Sequence, residues 1–144
     1  MQKMPLNYVS SDLSADFIAD KRYDITSLPI EANRFDLIIC YHILEHVEND
    51  KKAMSELFRV LRPGGTCFIQ TPFKEGETYE DPSITTETDR LKHFGQKDHV
   101  RIYSIDGLKI RLAEAGFNVM VNAYEGDHRM GLAASERVLI CTKA

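Results

Sequence analysis

The sequence predicts an α/β protein, and three observations carry that prediction. Phe35 to Cys40 is a short apolar run, long enough for a strand and too short for a helix. In the stretch that follows, Ala53, Met54, Leu57, Val60 and Leu61 fall on one helical face. Thr66 to Thr71 is a second apolar strand, set off from the helix by Pro63, Gly64 and Gly65, which stop it. Strand, helix and strand in one sheet form a right-handed parallel crossover.

The remaining elements follow in order. Asn7 to Ser10 reads as a strand that ends at Ser11-Asp12. A polar stretch leads to Tyr23-Asp24-Ile25, and Thr26 to Pro29 is a turn signal. Asn49 or Asp50 can cap the crossover helix. Lys74 to Val100 is long, charged and weakly periodic, with Thr86 and Asp89 placed to cap a short helix around Arg90 to His93. A loop of that length in a compact domain is usually functional or mobile. Ser104 can cap the last helix, whose apolar face is Ile105, Leu108, Leu112 and Ala115 and whose end is Gly116. Phe117 to Tyr124 and Arg137 to Thr142 then read as an antiparallel hairpin that closes one edge of the sheet.

The 144 residues suggest one domain with a sizeable core. A net charge of −4 argues against a general nucleic-acid or anionic-membrane binder. No apolar run approaches the ~18 residues that cross a bilayer. The N-terminus lacks a signal-peptide apolar region. Cys40, Cys67 and Cys141 each sit in a strand-like run, an odd set of buried thiols that fits a reducing cytoplasm.

Four short signatures identify a family resemblance: Phe35-Asp36 leading a strand, the triplet Leu44-Glu45-His46, the helix end Arg59-Val60-Leu61-Arg62-Pro63-Gly64-Gly65, and Thr71-Pro72 closing the next strand. In that order and spacing they resemble class I S-adenosylmethionine (SAM)-dependent methyltransferases. The resemblance implies a Rossmann-like sheet ending in the antiparallel hairpin, SAM as cofactor and a small-molecule methyl acceptor. It also implies site residues. Asp12, after the first strand, corresponds to the acid that accepts the ribose hydroxyl protons; otherwise it is a helix-capping or solvated aspartate. Asp24 corresponds to the acid that accepts from the adenine amine, with the Ile25 amide donating to the ring and its side chain covering the adenine face. Asp-Ile-Thr-Ser is also ordinary turn chemistry. Cys40, Tyr41 and His42, at the end of the central strand, correspond to the segment under the cofactor, although Tyr41 also reads as a half-buried core aromatic.

Methyl transfer needs positioning above all, since the sulfonium is already electrophilic. An oxygen or nitrogen acceptor adds the need for a base. His93, His99 and Tyr103 lie in or after the long loop, where the resemblance places the acceptor pocket, and each is a candidate base or a plain surface residue. Lys92, Lys97 and Arg101 nearby hint at an acidic acceptor. His42 to His46 spells HxxEH, a zinc-protease pattern. That mechanism needs both histidines on one face of an established helix. Here the first abuts a strand end, and no downstream segment offers an obvious third ligand. The expectation is therefore no metal, with Glu45 and His46 hydrogen-bonding the turn into the helix.

The family's D/ExGxG loop has no counterpart, for the first glycine is Gly64. The fold expectation is accordingly a sheet truncated at its N-terminus, with the first strand and helix missing. Losing two or three charge-assisted hydrogen bonds at about 1.5–3 kcal/mol each would make SAM binding weak or lost. Two functional readings follow: a SAM-dependent methyltransferase, or an inactive methyltransferase remnant that works as a dimeric or partner-binding module. An uncovered apolar edge at Phe35 to Cys40 favours a homodimer.

Overall fold

The computed structural model describes residues 6–14, 17–123 and 136–144. Its main sheet has four strands in the order β1-β2-β6-β5. β1 (Phe35–Tyr41) and β2 (Leu61–Gln70) run parallel and are joined by α1 (Asp50–Val60), so the predicted crossover is present. β5 (Asn118–Ala123) and β6 (Arg137–Thr142) form the predicted antiparallel hairpin, and β6 pairs antiparallel with β2. The expected end of β5 at Tyr124 lies outside the described residues.

Local chemistry explains the boundaries of α1. The Asn49 side chain accepts from the Lys52 amide at 3.1 Å, which satisfies one free helix donor. Ala53, Met54, Leu57, Val60 and Leu61 are all buried, as their spacing requires. The helix stops at Val60 and β2 begins at once. Pro63-Gly64-Gly65 does not precede the strand but forms an irregularity inside it, where the register jumps from Phe35 opposite Leu61 to Leu37 opposite Thr66. Gly64, at φ +79°, makes that jump, and its amide donates to the Lys143 carbonyl at 2.8 Å.

Cys40, Cys67 and Cys141 are buried in the sheet and free. Burial pushes the thiols of Cys40 and Cys141 up to about 12, so both are protonated packing groups.

Two readings need correction. Asn7 to Ser10 is not a strand. The segment folds on itself instead: Ser10 donates from its amide and from its hydroxyl to Asp20 Oδ2, both at 2.8 Å, and Ser11 forms a single bridge with Lys21. The segment resembles a family strand, but no neighbouring strand completes a ladder among the described residues. The long charged segment is also more ordered than its weak periodicity suggests. It contains β3 (Tyr79–Glu80), α2 (Glu87–Phe94) and β4 (Arg101–Ile102), and β3 and β4 pair as a small ribbon. Thr86 caps α2 as predicted, accepting from the Asp89 amide at 3.1 Å. Ser104 likewise caps α3 (Ile105–Glu114), accepting from Gly107 at 3.1 Å.

Candidate functional site

The carboxyl end of β1 is where an open α/β sheet presents ligands. Cys40, the last inward residue there, belongs to the core. Tyr41 and His42 face outward and are exposed. His42 holds a left-handed backbone, φ +54°, with its amide donating to the Gln70 carbonyl at 2.9 Å. A non-glycine residue in that region costs about 1–3 kcal/mol.

The chain then makes one 3-10 turn, Leu44–His46, which sits deep against the second half of the protein. Arg101 holds it there. Its guanidinium donates to the carbonyls of Leu44 (3.0 Å), Val47 and Glu48 (2.8 Å), and its Nε donates to Glu80 at 2.9 Å. The Val100 amide donates to the Glu45 carbonyl at 2.9 Å. These bonds bring His99 beside Glu45 and His46, with the His46 and His99 rings edge to face at 4.6 Å. Glu45, His99, Pro72, Phe94 and Gln96 line an open cleft of about 190 Å³.

His99 is 4 % exposed. Burial, and then the nearby His46, lower its pKa from the ordinary value, which favours the neutral imidazole. His93 is exposed, and its Nδ1 shares a 2.7 Å hydrogen bond with the Tyr79 hydroxyl. Tyr103 requires a correction. It is 0 % exposed, its hydroxyl donates to Asp50 Oδ2 at 2.5 Å, and burial raises its pKa well above that of free tyrosine. It is a core residue with a satisfied hydroxyl and cannot serve an acceptor as base. Arg101 is corrected for the same reason, since its donors are committed to the turn and to Glu80. A zinc-protease reading of HxxEH needs His42 and His46 as joint ligands; among the described residues His99 instead stands with Glu45 and His46.

The implied cofactor can be tested against the residues present. Asp12 lines a second cleft, of about 250 Å³, with Phe17, Ala19 and Arg22, and its Oδ2 accepts from the Ser14 hydroxyl at 2.7 Å. An acid beside an aromatic and an arginine suits a polyhydroxylated, partly apolar ligand. Asp24 accepts from the amide (2.8 Å) and the hydroxyl (2.7 Å) of Thr26, which closes a turn and presents Ile25 against the core. Those two bonds, side chain first, lower the Asp24 pKa, so it is an ionised acceptor. The Asp12 and Asp24 carboxylates and the exposed Tyr41 ring are groups of the kind an adenosine-bearing ligand uses, while Ile25 is packed against the core.

What the sequence missed is the polar network under this site. Asp50 accepts from Tyr103 and from Arg111 (2.6 Å), and Arg111 also pairs with Glu80. The cue was present but faint: Arg101 and Arg111 stand on either side of Tyr103, one just after the long loop and one inside the last predicted helix.

A parallel β1-α1-β2 crossover extended by an antiparallel hairpin, with Tyr41 and His42 at the end of β1, defines a Rossmann-like α/β fold. Residues 1–121 match the family described as a methyltransferase domain, and the chain belongs to that family. This bears out the resemblance to class I SAM-dependent methyltransferases. Among curated relatives, a probable S-adenosylmethionine-dependent methyltransferase of Mycolicibacterium smegmatis is 35 % identical over 49 residues, covering 34 % of this chain and 19 % of the relative. The ubiquinone biosynthesis O-methyltransferase of Psychrobacter arcticus is 28 % identical over 97 residues, covering 62 % of this chain and 38 % of the relative. The chain thus spans less than two-fifths of the length of these relatives. Among solved structures, a SAM-dependent methyltransferase of Thermotoga maritima, described as a possible histamine N-methyltransferase, superposes with a TM-score of 0.62. It is 20 % identical, with 86 % of this chain and 63 % of that one covered, a likeness of fold alone.

Proposed function

We propose that this protein transfers a methyl group from SAM to a hydroxyl of a small-molecule acceptor. The observation that carries the reading is the family match over residues 1–121. The Psychrobacter relative, an O-methyltransferase by name, supports an oxygen acceptor. In this reading Asp12 accepts from the ribose hydroxyls and Asp24 from the adenine amine. His93, held by Tyr79 on the exposed face of α2, takes the acceptor proton, and His99 stands in the wall of the cleft. Three free buried thiols support a reducing, cytoplasmic setting.

Calorimetric titration with S-adenosylhomocysteine tests the cofactor half. Asp12→Asn removes the charge from a hydrogen bond worth about 1.5–3 kcal/mol, so affinity should fall roughly 10- to 150-fold. Unchanged affinity in Asp12→Asn would remove Asp12 from the site.

A second reading concerns assembly. β1 is the outer strand of the main sheet, and Leu37 and Ile39 on it are 52 % and 66 % exposed. A bare apolar edge recruits another strand, and in this reading a second copy supplies it. Light scattering after size exclusion should give a dimer mass at micromolar concentration. A monomer mass at every concentration would overturn the pairing.

A further inference from the structure

Glu45 is 1 % exposed, and neither of its carboxylate oxygens has a hydrogen-bond partner. His42 Nδ1 approaches Oε1 only to 3.4 Å. An ionised carboxylate out of water without compensation costs several kcal/mol, and buried charges are as a rule paired or coordinate metals. The surroundings of Glu45 supply the second condition. One ligand atom each from Glu45, His46 and His99 lies within 4.8 Å of the others. Two imidazoles and one carboxylate are the protein ligands of open zinc sites and of the facial triads of other first-row metals.

We propose that Glu45, His46 and His99 form a binding site for one divalent first-row transition cation of the zinc type. Donors around a tetrahedral zinc at about 2.0–2.2 Å stand roughly 3.4 Å apart, so side-chain rotations of about an ångström close the ring. The backbone is already arranged for it. The Val100 amide is bonded to the Glu45 carbonyl, and Arg101 clamps the Leu44–His46 turn from the same strand that follows His99. The outer partners have the usual form as well. Asp98 Oδ2 stands 3.2 Å from His46 Nδ1, where a carboxylate sets the tautomer and direction of a ligating imidazole. With three protein ligands, the ion keeps an open position. The cleft lined by Glu45 and His99 offers it water or an oxygen ligand. HxxEH is thus not a protease motif here. Its Glu-His pair joins a histidine 53 positions downstream of His46, brought in by the β3–β4 ribbon. The site rests on these side chains and not on the methyl-transfer reading, so either can fail without the other.

Chelator-stripped protein titrated with Zn²⁺, and separately with Mg²⁺, tests the site by calorimetry and by thermal unfolding. We expect one Zn²⁺ per chain, with a saturable rise in Tm. Mg²⁺, which prefers an all-oxygen shell, should bind at least 100-fold more weakly. His99→Ala and Glu45→Gln should each lower Zn²⁺ affinity at least 100-fold, while His93→Ala, a surface histidine, should not change it. Glu45→Gln keeps the side-chain volume. If His99→Ala unfolds, the half-buried His46→Ala replaces it. A second readout separates a ligand from a merely buried residue: metal-free Glu45→Gln should be at least as stable as metal-free wild type, while only wild type gains stability from Zn²⁺. Absence of stoichiometric Zn²⁺ binding, or affinity retained in both Glu45→Gln and His99→Ala, would overturn the site.

Discussion

Two halves of this protein are held together by opposite means. The crossover from β1 through α1 to β2 is an apolar construction. Ala53, Met54 and Leu57 point one way, into the cluster they share with Cys40, Cys67 and Ile69 of the sheet. The segment from Phe73 to Arg111 is a polar construction. Arg101, Arg111, Asp50, Glu80 and the Tyr103 hydroxyl form one connected network, and the small β3–β4 ribbon hangs from it. Hydrophobic packing is non-directional and tolerates small adjustments. A buried polar network is cooperative, and it is worth much only when every member is satisfied. The comparison teaches that the scaffold half should yield gradually to mutation, while the site half should fail sharply when one partner is removed.

The sharpest break should come from Arg101→Met. It removes a donor from the carbonyls of Leu44, Val47 and Glu48, of which Leu44 keeps the Val47 amide, and takes one partner from Glu80. Removing one member of a buried ionic network costs about 3–5 kcal/mol, read as a fall in the urea midpoint. Arg101→Lys should recover only part, since an ammonium cannot span the same carbonyls and Glu80 together.

Leu57→Ala, in the apolar half, should cost about 2–5 kcal/mol with an unchanged urea slope, because a cavity replaces packed side chain. A cost for Leu57→Ala well above that for Arg101→Met would reverse the ranking of the two halves.

Gly107→Ala probes the packing inside the polar half. A Cβ there would lie 2.2 Å from Thr78 Oγ1 and 2.9 Å from Ser104 Oγ, the groups that cap α3 and tie it to the segment before β3. The overpacking should cost about 1–3 kcal/mol by chemical denaturation. A neutral effect would mean that Thr78 rotates away freely.

Acid should separate the halves with the smallest effect. The Arg111 hydrogen bond holds the Glu80 pKa below its ordinary value of 4.5, with the Arg101 hydrogen bond adding to it and burial opposing. A depressed folded-state pKa contributes stability that is fully present above the unfolded value and is lost as pH falls through the folded one. Wild type should therefore lose stability below about pH 4.5 more steeply than Glu80→Gln, as read from Tm against pH. Parallel curves would show that Glu80 contributes nothing through its charge.

The sequence reading succeeded where the information was local. Periodicity placed the buried face of α1, and Asn49, Thr86 and Ser104 announced three helix starts that the structure shows hydrogen-bonded as expected. It failed on Asn7 to Ser10, since a likeness to a family strand does not say whether a partner strand exists. It also placed Tyr103 beside the acceptor, when that side chain turns inward to Asp50, 53 positions earlier.

By itself the sequence determined the crossover, the hairpin and the family, because apolar period, capping chemistry and short ordered motifs all act within a few residues of one another. Only the tertiary structure decided which polar residues work together. Glu45 meets His99, and Asp50 meets Arg111, across separations that no local pattern encodes. Such pairings are set by how the β3–β4 ribbon docks on the Leu44–His46 turn, and that docking exists only once the sheet and its helices have formed.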